Sequence, residues 1–166
     1  MSKFLSKRIS REYIQMNAGQ PDKVFPLLCP VKESEWLPNF KAKVIYSSTG
    51  ISEDGAIFQT THGDDVTITW IITKYNPNSL IEMIYIIPNI MIVRITIQLV
   101  SYDKKHTKTI IRYTKTGLTE RGNAEVENFS KERFNQQMEH WEKAINYYLI
   151  HGKAISSNRH YMSSHK

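Results

Sequence analysis

Cysteine is almost absent from this chain of 166 residues, and so are long apolar runs. The single Cys29 cannot form a disulfide within the chain, which fits a reducing compartment. The longest apolar run, residues 80–100, is interrupted by Glu82 and Arg94 before it reaches the roughly 20 residues that a membrane-spanning helix needs. The first ten residues lack the apolar core of a secretory signal. We therefore expect a cytoplasmic protein without a transmembrane segment.

Sequence patterns for catalysis and metal binding are also missing. No signature of an activating base accompanies Cys29, which we interpret as a small buried residue rather than a nucleophile. The histidines show no spacing that would place two ligands on one helix turn or strand face, apart from a pair in the C-terminal tail. They are His62, His106, His140, His151, His160 and His165. We expect no metal, no cofactor and no catalytic constellation.

Positive charge is concentrated in the second half of the chain. The formal net charge is +6; residues 1–83 contain nine basic and nine acidic residues, whereas residues 84–166 contain 13 and seven. Six basic residues between positions 94 and 115 form what we call the basic strip: Arg94, Lys104, Lys105, Lys108, Arg112 and Lys115. Such a strip can attract nucleic acid or anionic lipid. No nucleic-acid motif accompanies it, so we interpret it as a solvated outer face of a sheet and expect no specific nucleic-acid binding.

A period of two dominates the chain from about residue 41 to residue 116. Residues 66–70 alternate apolar side chains with threonine, and residues 91–99 place Met, Val, Ile and Leu on one face. The connections between these segments are short, which predicts antiparallel pairing. Residues 4–16 predict an opening strand, and short helices are predicted at about 21–29 and at 31–37. About seven strands are expected in all.

A long amphipathic helix is predicted near the C-terminus. Its apolar residues recur mostly at steps of three and four and are Val126, Phe129, Phe134, Met138, Trp141, Ile145 and Tyr148. We expect one continuous helix over residues 120–150, with Phe134, Met138 and Trp141 turned towards the sheet and Gly152 as its stop. Because the sheet has one apolar face, this helix must cover it.

Several stretches sharpen this architecture: residues 24–30 and 33–37, residues 116–119 with Gly122 and Asn123, and Trp141 with Glu142. Together with the order of elements, they resemble the helix-grip fold of START-like and Bet v 1-like proteins, in particular the uncharacterised bacterial branch called SRPBCC proteins. The resemblance covers about residues 10–153. It implies an α+β fold with a curved antiparallel sheet of about seven strands around a long C-terminal helix, and two short helices after the first strand. We expect a single START-like domain over residues 1–153.

The resemblance implies a cavity between the sheet and the C-terminal helix, and hence binding of a hydrophobic small molecule or lipid. The candidate lining residues are aromatic or flexible apolar side chains: Phe58, Trp70, Tyr85, Phe134, Met138 and Trp141. Trp36 is expected at the cavity entrance, either as a gate or as a plug that holds the short helices to the sheet.

Two alternatives stay open. The first is a polyketide cyclase-like or aromatase-like enzyme that uses the same cavity, with His62, Tyr85, Tyr113 and an entrance residue, Glu35, as candidate groups. The second is a cochaperone-like protein-interaction domain. Two or more ionisable groups facing each other inside would favour the enzyme, an apolar wall with one polar anchor would favour the carrier, and no cavity would favour the interaction domain.

The C-terminal residues 154–166 follow the Gly152 stop and show no hydrophobic period, so we predict a mobile tail. Removing them should leave the melting temperature nearly unchanged. A fall of several degrees in differential scanning calorimetry would mean that the tail packs on the domain.

Overall fold

A computed structural model describes residues 3–62 and 66–156, and within them the chain forms one antiparallel sheet with helices on one face. The strands are β1 (Arg8–Asn17), β2 (Ala42–Tyr46), β3 (Ile57–His62), β4 (Val66–Asn76), β5 (Leu80–Ile87), β6 (Met91–Ser101) and β7 (Thr107–Gly117). The helices are α1 (Pro21–Val24), α2 (Glu120–Glu127) and α3 (Lys131–His151), with short 3₁₀ turns at Phe25–Leu28 and Glu33–Glu35. The predicted tail falls largely on residues 157–166, which lie outside the described residues.

The seven strands lie in the order β1-β7-β6-β5-β4-β3-β2. Six are joined as a meander, and β1 pairs with β7 although about 90 residues separate them. The alternation predicted for β6 is confirmed: Met91, Val93, Ile95, Ile97 and Leu99 are all buried. The α+β helix-grip architecture predicted from the sequence is therefore confirmed, including the short helical segments after the first strand.

The C-terminal helical region is two helices, so the prediction of one continuous helix over residues 120–150 was wrong. Residues 128–130 separate α2 from α3. The reason is local: Ser130 adopts an extended backbone, and its hydroxyl accepts a hydrogen bond from the Arg133 amide, which caps a new helix. Gly152, in the left-handed conformation at φ 67°, ends α3 as predicted. The predicted helix at 31–37 shortens to the Glu33–Glu35 turn.

A close approach of backbones holds α2 to the ends of β6 and β7. A Cβ atom on Gly122 would lie 1.7 Å from the carbonyl oxygen of Ile90, so only glycine fits there. The neighbouring Asn123 accepts a hydrogen bond from the Lys7 amide at 2.8 Å and donates one to the Leu5 carbonyl at 2.9 Å. The Gly-Asn pair that stood out in the sequence thus joins α2 to the N-terminal segment.

Helix α3 is fastened to the free side of the edge strand β1. Glu142 accepts hydrogen bonds from the Tyr13 hydroxyl at 2.8 Å and from the Met16 amide at 2.9 Å. Asn146 donates to the Met16 carbonyl and accepts from the Ala18 amide, both at 2.9 Å. These side chains satisfy backbone groups that β1 cannot pair with another strand. None of the described helices is long and apolar enough to cross a membrane.

The tie between α3 and β1 can be tested with Asn146→Ala. Because the change leaves the Met16 carbonyl and the Ala18 amide without their partner, we expect a loss of about 1–2 kcal/mol in the free energy of unfolding. Gln136→Ala, at an exposed position of the same helix, is the matched control and should change it by less than about 0.5 kcal/mol. Urea denaturation measures both, and equal effects would contradict the role given to Asn146.

Candidate functional site

One row of side chains crosses the helix-facing side of the sheet. Residues that lie directly opposite each other in neighbouring strands point to the same face. The pairing sets Lys115 opposite Val93, Val93 opposite Tyr85, Tyr85 opposite Trp70, and Trp70 opposite Phe58. Val93 is completely buried beneath the helical layer, so the whole row belongs to the inner face.

Three of these residues form an aromatic wall, which we define as Phe58, Trp70 and Tyr85. The rings of Phe58 and Trp70 stack with centroids 5.5 Å apart, and those of Trp70 and Tyr85 lie 4.2 Å apart. The Trp70 indole N–H donates to the Thr60 hydroxyl at 2.8 Å. Phe58 is buried, whereas Trp70 and Tyr85 keep part of their surface accessible.

Phe134 and Met138 of α3 pack directly on the sheet. They are 1% and 0% exposed, so neither borders a space as large as a water molecule. The Phe134 ring contacts the ring of Tyr113, with centroids 5.3 Å apart. These two proposed lining residues therefore lie in the packed core, while Trp70, Tyr85 and Trp141 remain partly accessible.

Trp36 and Trp141 form a second aromatic contact, between the Glu33–Glu35 turn and α3. Their rings meet edge to face at 5.5 Å. Trp36 is 1% exposed, and its indole N–H donates to the Leu27 carbonyl at 2.6 Å. Of the two roles considered for Trp36, this burial favours the plug over the gate. The structure brings Phe58, Trp70 and Tyr85 into contact, and it pairs Trp141 with Trp36.

Glu33 is an interior acid that the sequence analysis missed. It is 7% exposed, and burial raises the pKa of its carboxyl group to about 8. Burial, the neighbouring Tyr85 and the charge of Glu33 together raise the pKa of Tyr113 well above its ordinary value. The signal was available, because Glu33 precedes Trp36 by three residues and such spacing puts both on one side of a helical turn. Glu35, the acid predicted at the entrance, is exposed and accepts a hydrogen bond from the Tyr148 hydroxyl at 2.6 Å.

The basic strip does not lie on one face, so its interpretation as an outer surface is wrong for Lys115. In β7 the odd-numbered residues Ile111 and Tyr113 face inwards, and Lys115 continues that series. Its ammonium group lies 4.1 Å from the centre of the Phe129 ring, and burial lowers its pKa. Arg112 lies on the outer face and forms an ion pair with Glu12 of β1.

Among the other enzyme candidates, Tyr113 is buried, and the side chain of His62 lies outside the described residues.

Two concave regions can be described, and Trp70, Tyr85 and Trp141 line neither of them. An open groove of about 660 Å³ lies between β1 and the outer side of α3 and includes Tyr13, Glu142 and Tyr147. A small void of about 10 Å³ lies under β2–β4, beside Phe58 and Ile72, and is too small for a ligand. No group of three metal-ligating side chains is found in the described parts of the chain.

Comparison with known proteins identifies the fold. No protein-family model and no curated protein sequence matches the chain. Solved structures do: a truncated norcoclaurine synthase from Thalictrum flavum has a TM-score of 0.66 at 12% identity, covering 91% of this chain and 99% of that one. Protein MLL2253 from Mesorhizobium loti has a TM-score of 0.59 at 16% identity, covering 84% and 97%. Ara h 8.0201 has a TM-score of 0.60 at 16% identity, covering 87% and 99%.

These likenesses confirm the class of fold. The chain has a Bet v 1-like, helix-grip fold, as the resemblance in the sequence implied. At 16% identity or less they carry no assignment of activity, because one fold hosts many functions.

The interior position of Glu33 predicts a pH dependence of stability. Its pKa is higher in the folded chain, about 8, than in the unfolded chain, about 4.5. The folded state therefore holds the proton more tightly, and its stability falls as pH rises from about 4.5 to about 8. Glu33→Gln should remove this loss. The free energy of unfolding of the variant, relative to that of the wild type, should therefore rise by a few kcal/mol over this pH range, because each unit of difference in pKa corresponds to about 1.4 kcal/mol.

The matched control for this measurement is Glu35→Gln, which removes an exposed carboxylate two residues away. Urea unfolding at pH 5, 7 and 9 gives the free energies for all three proteins. Parallel curves for the wild type and Glu33→Gln would contradict a buried, protonated Glu33.

Proposed function

We propose that the protein binds a hydrophobic small molecule or lipid between the sheet and α3, in the cytoplasm. The observation that supports this best is the aromatic wall. Its rings lie on the inner face of the sheet, yet Trp70 and Tyr85 keep accessible surface there. Large aromatic surface that the fold itself leaves partly uncovered is the usual lining of a small-molecule site.

Side chains on the inner face are packed more completely near β7 than near β4 and β5, and this difference supports a position for the ligand. Near β7 the core is filled, since Phe134 and Met138 are fully covered. On β4 and β5 coverage is incomplete, and Trp141 of α3 is also only half-buried. We therefore assign the site to Trp70, Tyr85 and Trp141, with the Phe58 ring stacked against the Trp70 ring. Covering such apolar surface is worth roughly 25 cal/mol per Å².

Proteins of the same fold support this use of it. A norcoclaurine synthase from Thalictrum flavum has been solved in complex with dopamine and hydroxybenzaldehyde, two aromatic small molecules, and matches the chain with a TM-score of 0.62 at 15% identity. The shared fold can thus enclose aromatic compounds. For this chain, the aromatic wall is the specific support.

A second candidate is an enzyme of the cyclase or aromatase kind, and interior ionisable groups favour it. Glu33 and Tyr85 are both close enough to Tyr113 to raise its pKa, and Lys115 lies on the same face of the sheet as both tyrosines. With a pKa of about 8, Glu33 can take up or release a proton near neutral pH. Two or more ionisable groups in the interior were the feature expected of an enzyme, whereas an apolar wall with one polar anchor was expected of a carrier. The interior groups described here favour the enzyme on that basis.

The bound molecule itself separates the two candidates. Native mass spectrometry of the wild type and of Glu33→Gln, each purified from host cells, reports the masses that travel with the protein. A carrier should yield the same compound from both proteins. An enzyme that depends on Glu33 should yield a different compound from the variant, since the substrate would accumulate in the site.

Binding can be tested with Nile red, an uncharged fluorescent dye. We expect one dye per chain, with an affinity that changes little between 50 mM and 500 mM salt, because burial of apolar area drives the association. Trp70→Glu should abolish binding. Thr69→Glu, the neighbouring position on the outer face of β4, is the matched control and should leave it intact.

Thermal melts confirm that both variants fold before binding is compared. Saturable binding that survives Trp70→Glu would move the site away from the aromatic wall. If the dye does not bind at all, the carrier function fails, and a cochaperone-like protein-interaction domain becomes the function to test.

A further inference from the structure

We propose that the outer face of the sheet binds the surface of an anionic membrane. The contact is made by an outer apolar patch, which consists of six side chains: Tyr46, Ile57, Ile71, Ile84, Ile86 and Ile92. The patch lies on the side of the sheet opposite α3, so this inference does not depend on a ligand between the sheet and the helix.

One row of the patch crosses four strands. Tyr46 lies opposite Ile57, and Ile57 lies opposite Ile71. Ile71 in turn lies opposite Ile84. In β3, β4 and β5 each of these isoleucines is the chain neighbour of a residue of the aromatic wall, which faces inwards. Because successive side chains of a strand point to opposite faces, the row belongs to the outer face.

A second row extends the patch along β5 and β6. Ile86 follows Ile84 by two residues and so shares its face, and it lies opposite Ile92. The exposed fractions are 60% for Tyr46, 40% for Ile71 and 52% for Ile86. The solvent side of an antiparallel sheet ordinarily carries polar residues, and contiguous exposed apolar surface marks an interaction site.

Three cations surround the patch on the same face. Arg94 lies directly opposite Ile84. Lys43 lies on the outer face of β2, and Arg8 lies two strands from Ile92 in the same row. No ion pair found among the described residues involves any of the three. Their charges are therefore available to an anionic partner.

Acidic residues are scarce on this face. Glu12 and Glu82 are the only acids in the described strands, and they form ion pairs with Arg112 and Lys74. A second copy of the chain, packed patch to patch, would therefore set like charges against each other. The charge of the face instead complements an anionic surface.

The apolar residue types favour a bilayer over an acidic protein. Five of the six patch residues are isoleucine, whereas the centres of protein interfaces are enriched in aromatic residues, methionine and arginine. Aliphatic side chains flanked by lysine and arginine are typical of surfaces that enter the boundary between headgroups and acyl chains. Tyrosine, the remaining residue of the patch, is enriched at the membrane–water interface. We therefore choose the anionic bilayer.

Sedimentation with sucrose-loaded vesicles tests this choice. The wild type should bind vesicles of phosphatidylcholine with about 30% phosphatidylglycerol at least about 10-fold more tightly than vesicles of phosphatidylcholine alone, because three cations face the headgroups. Ile71→Asn should weaken binding to the anionic vesicles about 10-fold, since less apolar surface is buried. Ile14→Asn is the matched control, at an exposed isoleucine on the outer face of β1 outside the patch, and should bind like the wild type.

The role of charge is tested separately with Arg94→Gln. Removing one cation near an anionic surface should weaken binding about fivefold. Lys104→Gln makes the same change in net charge in the turn between β6 and β7, away from the patch, and should have little effect. Equal losses in the two variants would mean that attraction is spread over the whole molecule, and the patch would not be the binding face.

The wild-type comparison needs no substitution, so folding of the variants does not limit the test, and thermal melts confirm that each variant folds. Equal binding of the two kinds of vesicle, or binding of neither, would overturn the proposal. A wild type that is dimeric in analytical ultracentrifugation, together with a monomeric Ile71→Asn, would assign the patch to a second copy instead. A monomeric wild type with a strong preference for anionic vesicles is the expected result.

Discussion

The attachment of α3 to the edge strand β1 is the contact on which the rest of the structure depends. Glu142 and Asn146 bond backbone groups of β1 that have no neighbouring strand, which places the helix over the β1–β7 side of the sheet. There its apolar side chains fill the core completely. Towards β4 and β5 the aromatic side chains are covered less completely. The asymmetry of the proposed site follows from where the helix is fastened.

The inner face carries more ionisable groups than apolar packing alone requires. Glu33, Tyr113 and Lys115 all have pKa values shifted by burial, each in the direction that favours the neutral form. Removing such groups from water opposes folding unless they have partners. Buried groups with shifted pKa values are typical of binding and catalytic sites, which supports the function proposed above.

The likeness to solved structures and the details of the site carry different information. Norcoclaurine synthase and Ara h 8.0201 match nearly the whole chain with identities of 16% or less, so they report the backbone arrangement. Which side chains occupy the inner face is particular to this chain. The contacts among Phe58, Trp70 and Tyr85 are therefore the basis on which we propose a hydrophobic ligand.

Periodicity in the sequence was enough to determine the strands, the antiparallel pairing, the inner face of β6 and the stop of α3 at Gly152, because these follow from neighbours within a few residues. The break at Ser130 was also local but was hidden by an apolar stripe that runs through both helices. Only the tertiary structure decided that Phe134 and Met138 are packed core, that Glu33 is interior, and that Lys115 lies on the inner face of β7. Those facts depend on strand register and on where α3 is fastened, which join residues up to about 130 positions apart.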